Sequence, residues 1–133
     1  MNKYGQAALD AVQLLRNRQV RGPIDAWRIA TISLFGKGTD SQEKACPRGA
    51  FLGCCEDGLV KGVQSGQYIK SQRKKNKLYA ITAARLLKIN PSLGELAEID
   101  LWRQVLKRLG IRNKRHNDQM DVVLGLFRNN LLR

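Results

Sequence analysis

Two stretches of the chain are rich in cations and contain no acidic residue. Residues 61–90 carry eight lysines and arginines, and residues 101–116 carry six. This pattern predicts phosphate binding, because Lys and Arg gain affinity for nucleic acid by releasing its condensed counterions. In both stretches a dense group of cations precedes a predicted helix, whose exposed N–H groups also attract anions. The residues expected to contact nucleic acid are Lys70, Arg73, Lys74, Lys75, Lys77, Arg112, Lys114 and Arg115.

The expected mode of binding is non-catalytic contact with the phosphate backbone. Aromatic residues make up only 6% of the chain, which disfavours recognition of single strands by base stacking. The pattern does not distinguish DNA from RNA and gives no sequence preference. The same charge also fits a protein-interaction module that binds an acidic partner or self-associates. A solvated surface that keeps the protein in solution is the third interpretation.

A helix-turn-helix was considered for residues 47–67. Two short helices around Gly58 would have the right length. The second helix would contain Gly62 and Gly66 and only one cation, Lys61, which makes it a poor recognition helix. An ordinary helical hairpin is therefore favoured for this segment.

Two adjacent cysteines and the single histidine were considered as a nucleophile and its base. Cys54 or Cys55 would need His116 nearby, oriented by a carboxylate such as Asp118 or Asp121. Both cysteines fall in a segment that reads as a core helix, where thiols are usually inert. The chain is therefore not expected to be an enzyme, and no catalytic residue is assigned.

Metal chemistry is also not expected. Cys46, Cys54 and Cys55 lack the closely spaced cysteine pairs that build a tetrahedral zinc site. Asp118 and Asp121 share a helical face after a basic loop, as a metal-dependent nuclease would require. Their place near a helix N-terminus is explained equally well by the helix dipole. We expect no metal and no cofactor.

The elements that position these residues are predicted to be helices. Apolar residues recur with helical spacing, and no useful period-2 alternation occurs. The sequence therefore predicts an all-α fold, a single compact irregular bundle of five to six helices that forms one domain over residues 1–133. The main helices are expected at 2–17, 23–36, 47–57, 71–88, 92–109 and 118–130, with a short one at 39–45.

Some local features are less regular. Residues 59–71 predict a short helical turn followed by a loop, with a small β-ribbon as the alternative. Cations at 73–77 oppose the dipole of the helix that they begin, so either another interaction favours them or this turn is not helical. Gly49 and Gly53 are spaced for the close approach of another backbone. Asn113 or Asn117 is expected to cap the last helix.

The overall composition is that of a globular protein. Of 133 residues, 43% are hydrophobic, and the formal net charge is +13. No apolar stretch is long enough to span a bilayer, and the N-terminus lacks the unbroken apolar run of a signal peptide. An odd number of cysteines argues against a disulfide framework. A cytoplasmic location and no membrane partner are expected, and the oligomeric state is left open.

Several blocks of the sequence resemble a small uncharacterised bacterial family of helical domains. They are KACPRGAFLG at 44–53, CEDG at 55–58, DAW at 25–27 and NDQMDVVL at 117–124. The resemblance covers most of the chain. It implies a bacterial origin, with encoding on a mobile gene cassette as a further option. It supplies no activity and no catalytic or binding residues.

Overall fold

The computed structural model describes residues 2–72 and 74–133, and Arg73 lies outside the described residues. Every regular element in the described part is helical, which confirms the all-α prediction. Six helices have ten residues or more, and a one-turn helix and a 3₁₀ helix complete the bundle. The elements are α1 (Lys3–Arg16), α2 (Pro23–Phe35), α3 (Asp40–Glu43), α4 (Ala45–Glu56), α5 (Lys75–Ile89), the 3₁₀ helix (Pro91–Glu95), α6 (Glu98–Leu109) and α7 (Gln119–Arg128). Among the described residues, no helix has both the length and the apolar character needed to cross a membrane.

Local signals set most helix ends. The Asn2 side chain accepts hydrogen bonds from the N–H groups of Tyr4 and Gly5, both at 3.0 Å, which caps α1. Pro23 is the first residue of α2, where its missing N–H costs nothing. Gly110 follows α6 in the left-handed conformation that glycine adopts without strain.

The last helix is at the centre of the bundle. α7 packs against α1, α4, α5 and α6. Every residue from Gln119 to Leu126 is buried, so the helix presents no solvent face over two turns. A helix that is buried on all sides belongs in the core of a fold, and α1, α4, α5 and α6 surround this one.

The predicted close approach at the two glycines of α4 is confirmed. A Cβ atom added to Gly53 would lie 2.6 Å from the Cβ of Lys77, and one added to Gly49 would lie 2.9 Å from the Cβ of Asn76. Both partners lie in the first turn of α5. The missing side chains therefore let α5 cross α4 in direct contact.

Residues 57–72 form no helix, so the predicted helical turn after Leu59 is wrong. Val60 forms an isolated antiparallel bridge with Leu132, flanked by backbone hydrogen bonds of 2.8 Å. The predicted helix at 71–88 begins at Lys75 instead. The conflict between a cationic first turn and the helix dipole is thereby reduced, because Ser71, Gln72 and Lys74 lie outside the helix.

The predicted helix at 92–109 is also interrupted. A 3₁₀ turn ends at Glu95, and α6 begins only at Glu98 after two extended residues. Arg128 of α7 donates to the carbonyl oxygens of Gly94 at 2.9 Å and Leu96 at 2.8 Å. These bonds to the central helix hold the interruption in place.

Candidate nucleic-acid interface

The two basic stretches meet at the first turns of α5 and α7. Gln119 Nε2 donates to Asn76 Oδ1 at 3.0 Å, and Gln119 Oε1 accepts from the backbone N–H of Asn117 at 2.7 Å. Gln119 is 1% exposed, so this connection is part of the core. It places the loop that carries Arg112–Arg115 beside the start of α5.

A second contact fixes the same loop. The indole Nε1 of Trp102 donates to the carbonyl oxygen of Lys114 at 2.7 Å. The Trp102 ring packs edge-on against Tyr79 of α5, with ring centroids 5.0 Å apart. Tyr79 lies one helical turn after Lys75. The hydrogen bond from Trp102 therefore fixes the backbone of the 112–117 loop beside Trp102 and Tyr79, a buried aromatic pair that connects α6 with α5.

His116 provides the N-terminal cap of α7. Its Nε2 accepts the N–H of Met120 at 3.1 Å. Burial lowers the pKa of His116, which favours the neutral ring that can accept this bond. The prediction that Asn113 or Asn117 caps this helix is wrong, because the residue before α7 is Asp118 in a left-handed conformation.

Two of the predicted phosphate-binding lysines are held by a buried carboxylate. Lys74 Nζ and Lys77 Nζ lie 3.1 Å and 2.5 Å from Glu56 Oε1. The other oxygen, Oε2, accepts the backbone N–H groups of Tyr68 and Ile69, both at 2.8 Å. The Glu56 side chain is only 4% exposed. One carboxylate thus ties α4, the 68–69 segment and α5 together.

These partners determine the charge state of Glu56. Burial alone would raise its pKa, but hydrogen bonds from Lys77, Ile69, Lys74 and Tyr68 outweigh burial and lower the pKa to about 2. Glu56 is therefore ionised in the folded protein at neutral pH. Sequence reasoning missed this residue, since it read Glu56 only as the end of a helix.

A groove with apolar walls and several cationic side chains runs between α4, residues 68–71 and the start of α5. It encloses about 610 Å³. Its cationic and polar lining comprises Arg48, Tyr68, Lys70, Ser71, Lys74, Asn76 and Lys77. Arg48 was not among the residues predicted from the sequence, because it stands alone in α4 and only the fold brings it to the basic stretch.

The other predicted cations within the described residues are exposed. We call them the basic face, and it consists of Lys70, Lys75, Arg112, Lys114 and Arg115. Within residues 2–72 and 74–133, no acidic side chain forms an ion pair with any of them. These five side chains are thus available to an anionic partner.

The cysteines and the histidine are not brought together as a reactive pair. Cys54 and Cys55 are fully buried; burial raises the pKa of Cys54 to about 12 and that of Cys55 well above its ordinary value. The described contacts of His116 are with Met120, Trp102 and Asp121, and none is a thiol. Cys46 instead accepts a weak bond from Asn117 at 3.5 Å.

The carboxylates near α7 lie close to one another. Asp118 pairs with Lys44 at 2.5 Å. Asp121 is buried, and burial together with the nearby Asp118 and Glu98 carboxylates raises its pKa to about 6. In the part of the chain that the structure describes, no group of three or more His, Cys, Asp or Glu side chains is arranged to hold a metal ion.

Comparison with known proteins gives one match. A model described as "Family of unknown function (DUF6979)" matches residues 1–133. The chain belongs to this family. The match confirms the resemblance to an uncharacterised domain family, and it extends over the whole chain. No curated protein and no solved structure matches the chain. Since the family has no assigned activity, any functional argument depends on the geometry above.

Proposed function

We propose that this protein binds the phosphate backbone of nucleic acid, without catalysis, through the basic face. The observation that carries the proposal is the hydrogen bond between Asn76 and Gln119 at 3.0 Å. It joins the first acid-free stretch, at Asn76, to Gln119, which lies three residues after the end of the second stretch. Clustered cations on one side of a domain are the electrostatic feature expected of a nucleic-acid-binding protein.

Five free cations set the expected strength of the salt dependence. For duplex DNA the logarithm of the binding constant falls with the logarithm of salt concentration, with a slope of about −0.9 for each phosphate neutralised. Five contacts correspond to a slope of about −4.5, or about 500-fold weaker binding between about 50 and 200 mM salt. Lys74 and Lys77 are not counted, because Glu56 already pairs with them.

The test compares two triple variants of equal charge. One removes Lys75, Lys114 and Arg115 from the basic face, each replaced by Gln. The control replaces Arg85, Lys88 and Arg108 by Gln, and these line a different groove. Both lower the formal net charge from +13 to +10.

Binding is measured by fluorescence anisotropy of a labelled duplex over a series of salt concentrations. The first variant should reduce the magnitude of the slope by about 2.7, and the control should leave it close to that of the unmodified protein. The proposal fails if affinity is independent of salt. It also fails if both variants weaken binding equally, because net charge and not the basic face would then be responsible.

A second candidate function is docking of an acidic amphipathic helix. An apolar groove of about 380 Å³ lies between α5 and α6, and three cations border it without any acidic residue. Its apolar lining includes the exposed Leu78 and Ile89, which are 49% and 75% exposed. Helix-in-groove recognition needs such an apolar floor, and a basic border selects an acidic partner.

This candidate is tested with a synthetic helical peptide that has leucines on one face and glutamates beside them. Leu78→Asp should abolish its binding and leave DNA affinity unchanged. A peptide of the same composition in scrambled order serves as the control. If both peptides bind equally, or if Leu78→Asp has no effect, the groove is not the docking site. Formation of dimers that Leu78→Asp abolishes would instead assign the groove to self-association.

A further inference from the structure

Another cavity adjoins the groove beside the basic face and lies between α2, the turn at 36–38, α3 and α4. It encloses about 320 Å³, near the lower end of the range for small-molecule sites. Ile24, Trp27, Ile32 and Leu52 form its apolar walls. No residue of the basic face contributes to it, and Ile24, Arg48 and Leu52 line both this cavity and the groove beside that face.

One buried polar group at this cavity has no partner. The Trp27 side chain lines the cavity and stacks on Phe51, with ring centroids 5.1 Å apart. Trp27 is 2% exposed, and its indole N–H forms no hydrogen bond with any described residue. The other tryptophan, Trp102, donates to Lys114 at 2.7 Å. Buried donors are nearly always bonded, so the exception at a cavity wall requires an explanation.

Cations surround the same cavity. Arg28, Lys37 and Arg48 contribute to its lining, against one acidic side chain, Glu43. Arg28 has only a wide contact with Asp25, at 3.9 Å. Arg48 Nη1 reaches the backbone oxygen of Glu43 at 3.5 Å and pairs with no carboxylate in the described chain. The lining therefore carries a formal excess of positive charge.

The polar wall of the cavity is fixed by a chain of hydrogen bonds. Gln42 Oε1 accepts the N–H of Gly38 at 3.1 Å, and Gln42 Nε2 donates to Thr31 Oγ1 at 3.2 Å. Thr31 is bonded in turn to the Trp27 carbonyl at 2.8 Å. The side of the cavity that faces α3 is thus held in place before any ligand arrives.

We propose that this cavity binds a small organic acid. Its apolar body packs against Trp27, Ile32 and Leu52, and its carboxylate lies between Lys37 and Arg48. A ligand with an apolar body and one negative charge satisfies both features of the lining, whereas a bare phosphate would leave the apolar walls exposed to water. The proposal does not rest on nucleic-acid binding, and Arg48 is the one cation that the cavity shares with the neighbouring groove.

The two tryptophans provide an internal comparison for the test. Phenylacetate is the probe, and phenylacetamide, which has nearly the same shape and no charge, is its control. Both are titrated into ¹⁵N-labelled protein, and the two indole N–H signals are followed by NMR. Trp27→Phe assigns the signals by removing one of them. Phenylacetate should shift the Trp27 signal to saturation and leave the Trp102 signal in place.

Variants at the cavity complete the test. Replacement of both Lys37 and Arg48 by Gln should weaken phenylacetate binding by at least about tenfold, as expected for loss of charge-assisted bonds. Lys61→Gln removes a charge outside the cavity and should have no effect. The unchanged Trp102 signal shows in each variant that the fold is retained.

Three outcomes would overturn the proposal. In the first, the Trp27 signal does not move at millimolar phenylacetate. In the second, phenylacetamide binds as tightly as phenylacetate. In the third, replacement of Lys37 and Arg48 leaves the affinity for phenylacetate unchanged. A DNA duplex that shifts the Trp27 signal would also overturn it, because the cavity would then belong to the nucleic-acid surface. Loss of DNA binding in the basic-face variant, with phenylacetate binding intact, would leave the cavity proposal standing.

Discussion

Glu56→Gln should destabilise the protein strongly and in a pH-dependent way. The substitution preserves the size of the side chain but removes its charge. Lys74 and Lys77 then lose the partner that lies 3.1 Å and 2.5 Å away. An amide carries only one oxygen, so its NH₂ group must face either the two lysines or the backbone N–H groups of residues 68–69. Either orientation sets donors against donors in a buried position.

The size of the effect follows from the pKa of Glu56. Its lysine and backbone partners lower this pKa from the ordinary 4.5 to about 2, despite burial. A tenfold change in proton affinity is worth about 1.4 kcal/mol, so these partners favour the ionised folded state by about 3 kcal/mol. Solvent screens part of the contribution of the half-exposed Lys74, which lowers the expected loss to about 2–3 kcal/mol.

The pH dependence has a definite sign. Because the pKa is lower in the folded state, the stabilisation is fully present above about pH 4.5 and is lost as the pH falls towards 2. Urea unfolding followed by tryptophan fluorescence should give a gap of about 2–3 kcal/mol between the two proteins at pH 7. The gap should narrow at pH 3.

The control for this experiment is Asp100→Asn. Asp100 pairs with Arg103 at 3.1 Å, but both side chains are exposed, so its removal should cost less than about 1 kcal/mol. If Glu56→Gln is as stable as Asp100→Asn, the buried carboxylate does not hold the three segments together. A gap that stays constant between pH 7 and pH 3 would refute the electrostatic explanation.

Three further outcomes are expected. Gly53→Ala should lower stability by about 1–3 kcal/mol in thermal unfolding, because the new Cβ would lie 2.6 Å from Lys77. Gly22→Ala should be tolerated, because its Cβ would have nothing within 4 Å, and equal effects of the two variants would refute the close approach. Asp121→Asn should stabilise the protein at pH 7.5 and not at pH 4. Burial and nearby carboxylates raise the pKa of Asp121 to about 6, so above that pH the folded state carries the free-energy cost of a buried ionised carboxylate. An equal gain in stability at both pH values would contradict this. Glu56→Gln should also tighten DNA binding, although it weakens the fold, because it releases Lys74 and Lys77 in the groove. An unchanged DNA affinity in the anisotropy titrations would show that these lysines do not contact phosphate.

Most of the helices could be predicted because their signals are local. The predicted helix at 2–17 is observed as Lys3–Arg16, and the second helix begins at Pro23 as expected. In both, an apolar stripe and a capping or breaking residue stand within a few positions of each other. Such patterns depend only on residues that are close in the sequence, so tertiary packing does not change the helices that they predict.

The segment at 59–71 could not be predicted because distant residues set its conformation. One end pairs with residues 131–133, and the other donates backbone N–H groups to Glu56. Neither partner is visible in a local pattern. The clash between basic residues and the dipole of α5 was a usable clue, since it indicated that another interaction favours the lysines.

The candidate site was predicted in part. The two basic stretches were identified from charge alone, and their proximity depends on Gln119, a buried polar residue inside an apolar run. Arg48 and Glu56 were missed because each acts with residues of another element. Charge patterns therefore located the cations, while the division into paired and free cations required the fold.

The central position of α7 has a consequence for how this chain acquires its structure during synthesis. α7 packs against α1, α4, α5 and α6, and it begins at residue 119, about one hundred residues after α1 has been completed. At about 5–20 residues per second, the ribosome needs roughly 5–20 s to produce that stretch. Throughout this interval the surface of α1 that packs against α7 has no final partner, and the high positive charge of the chain opposes aggregation through it.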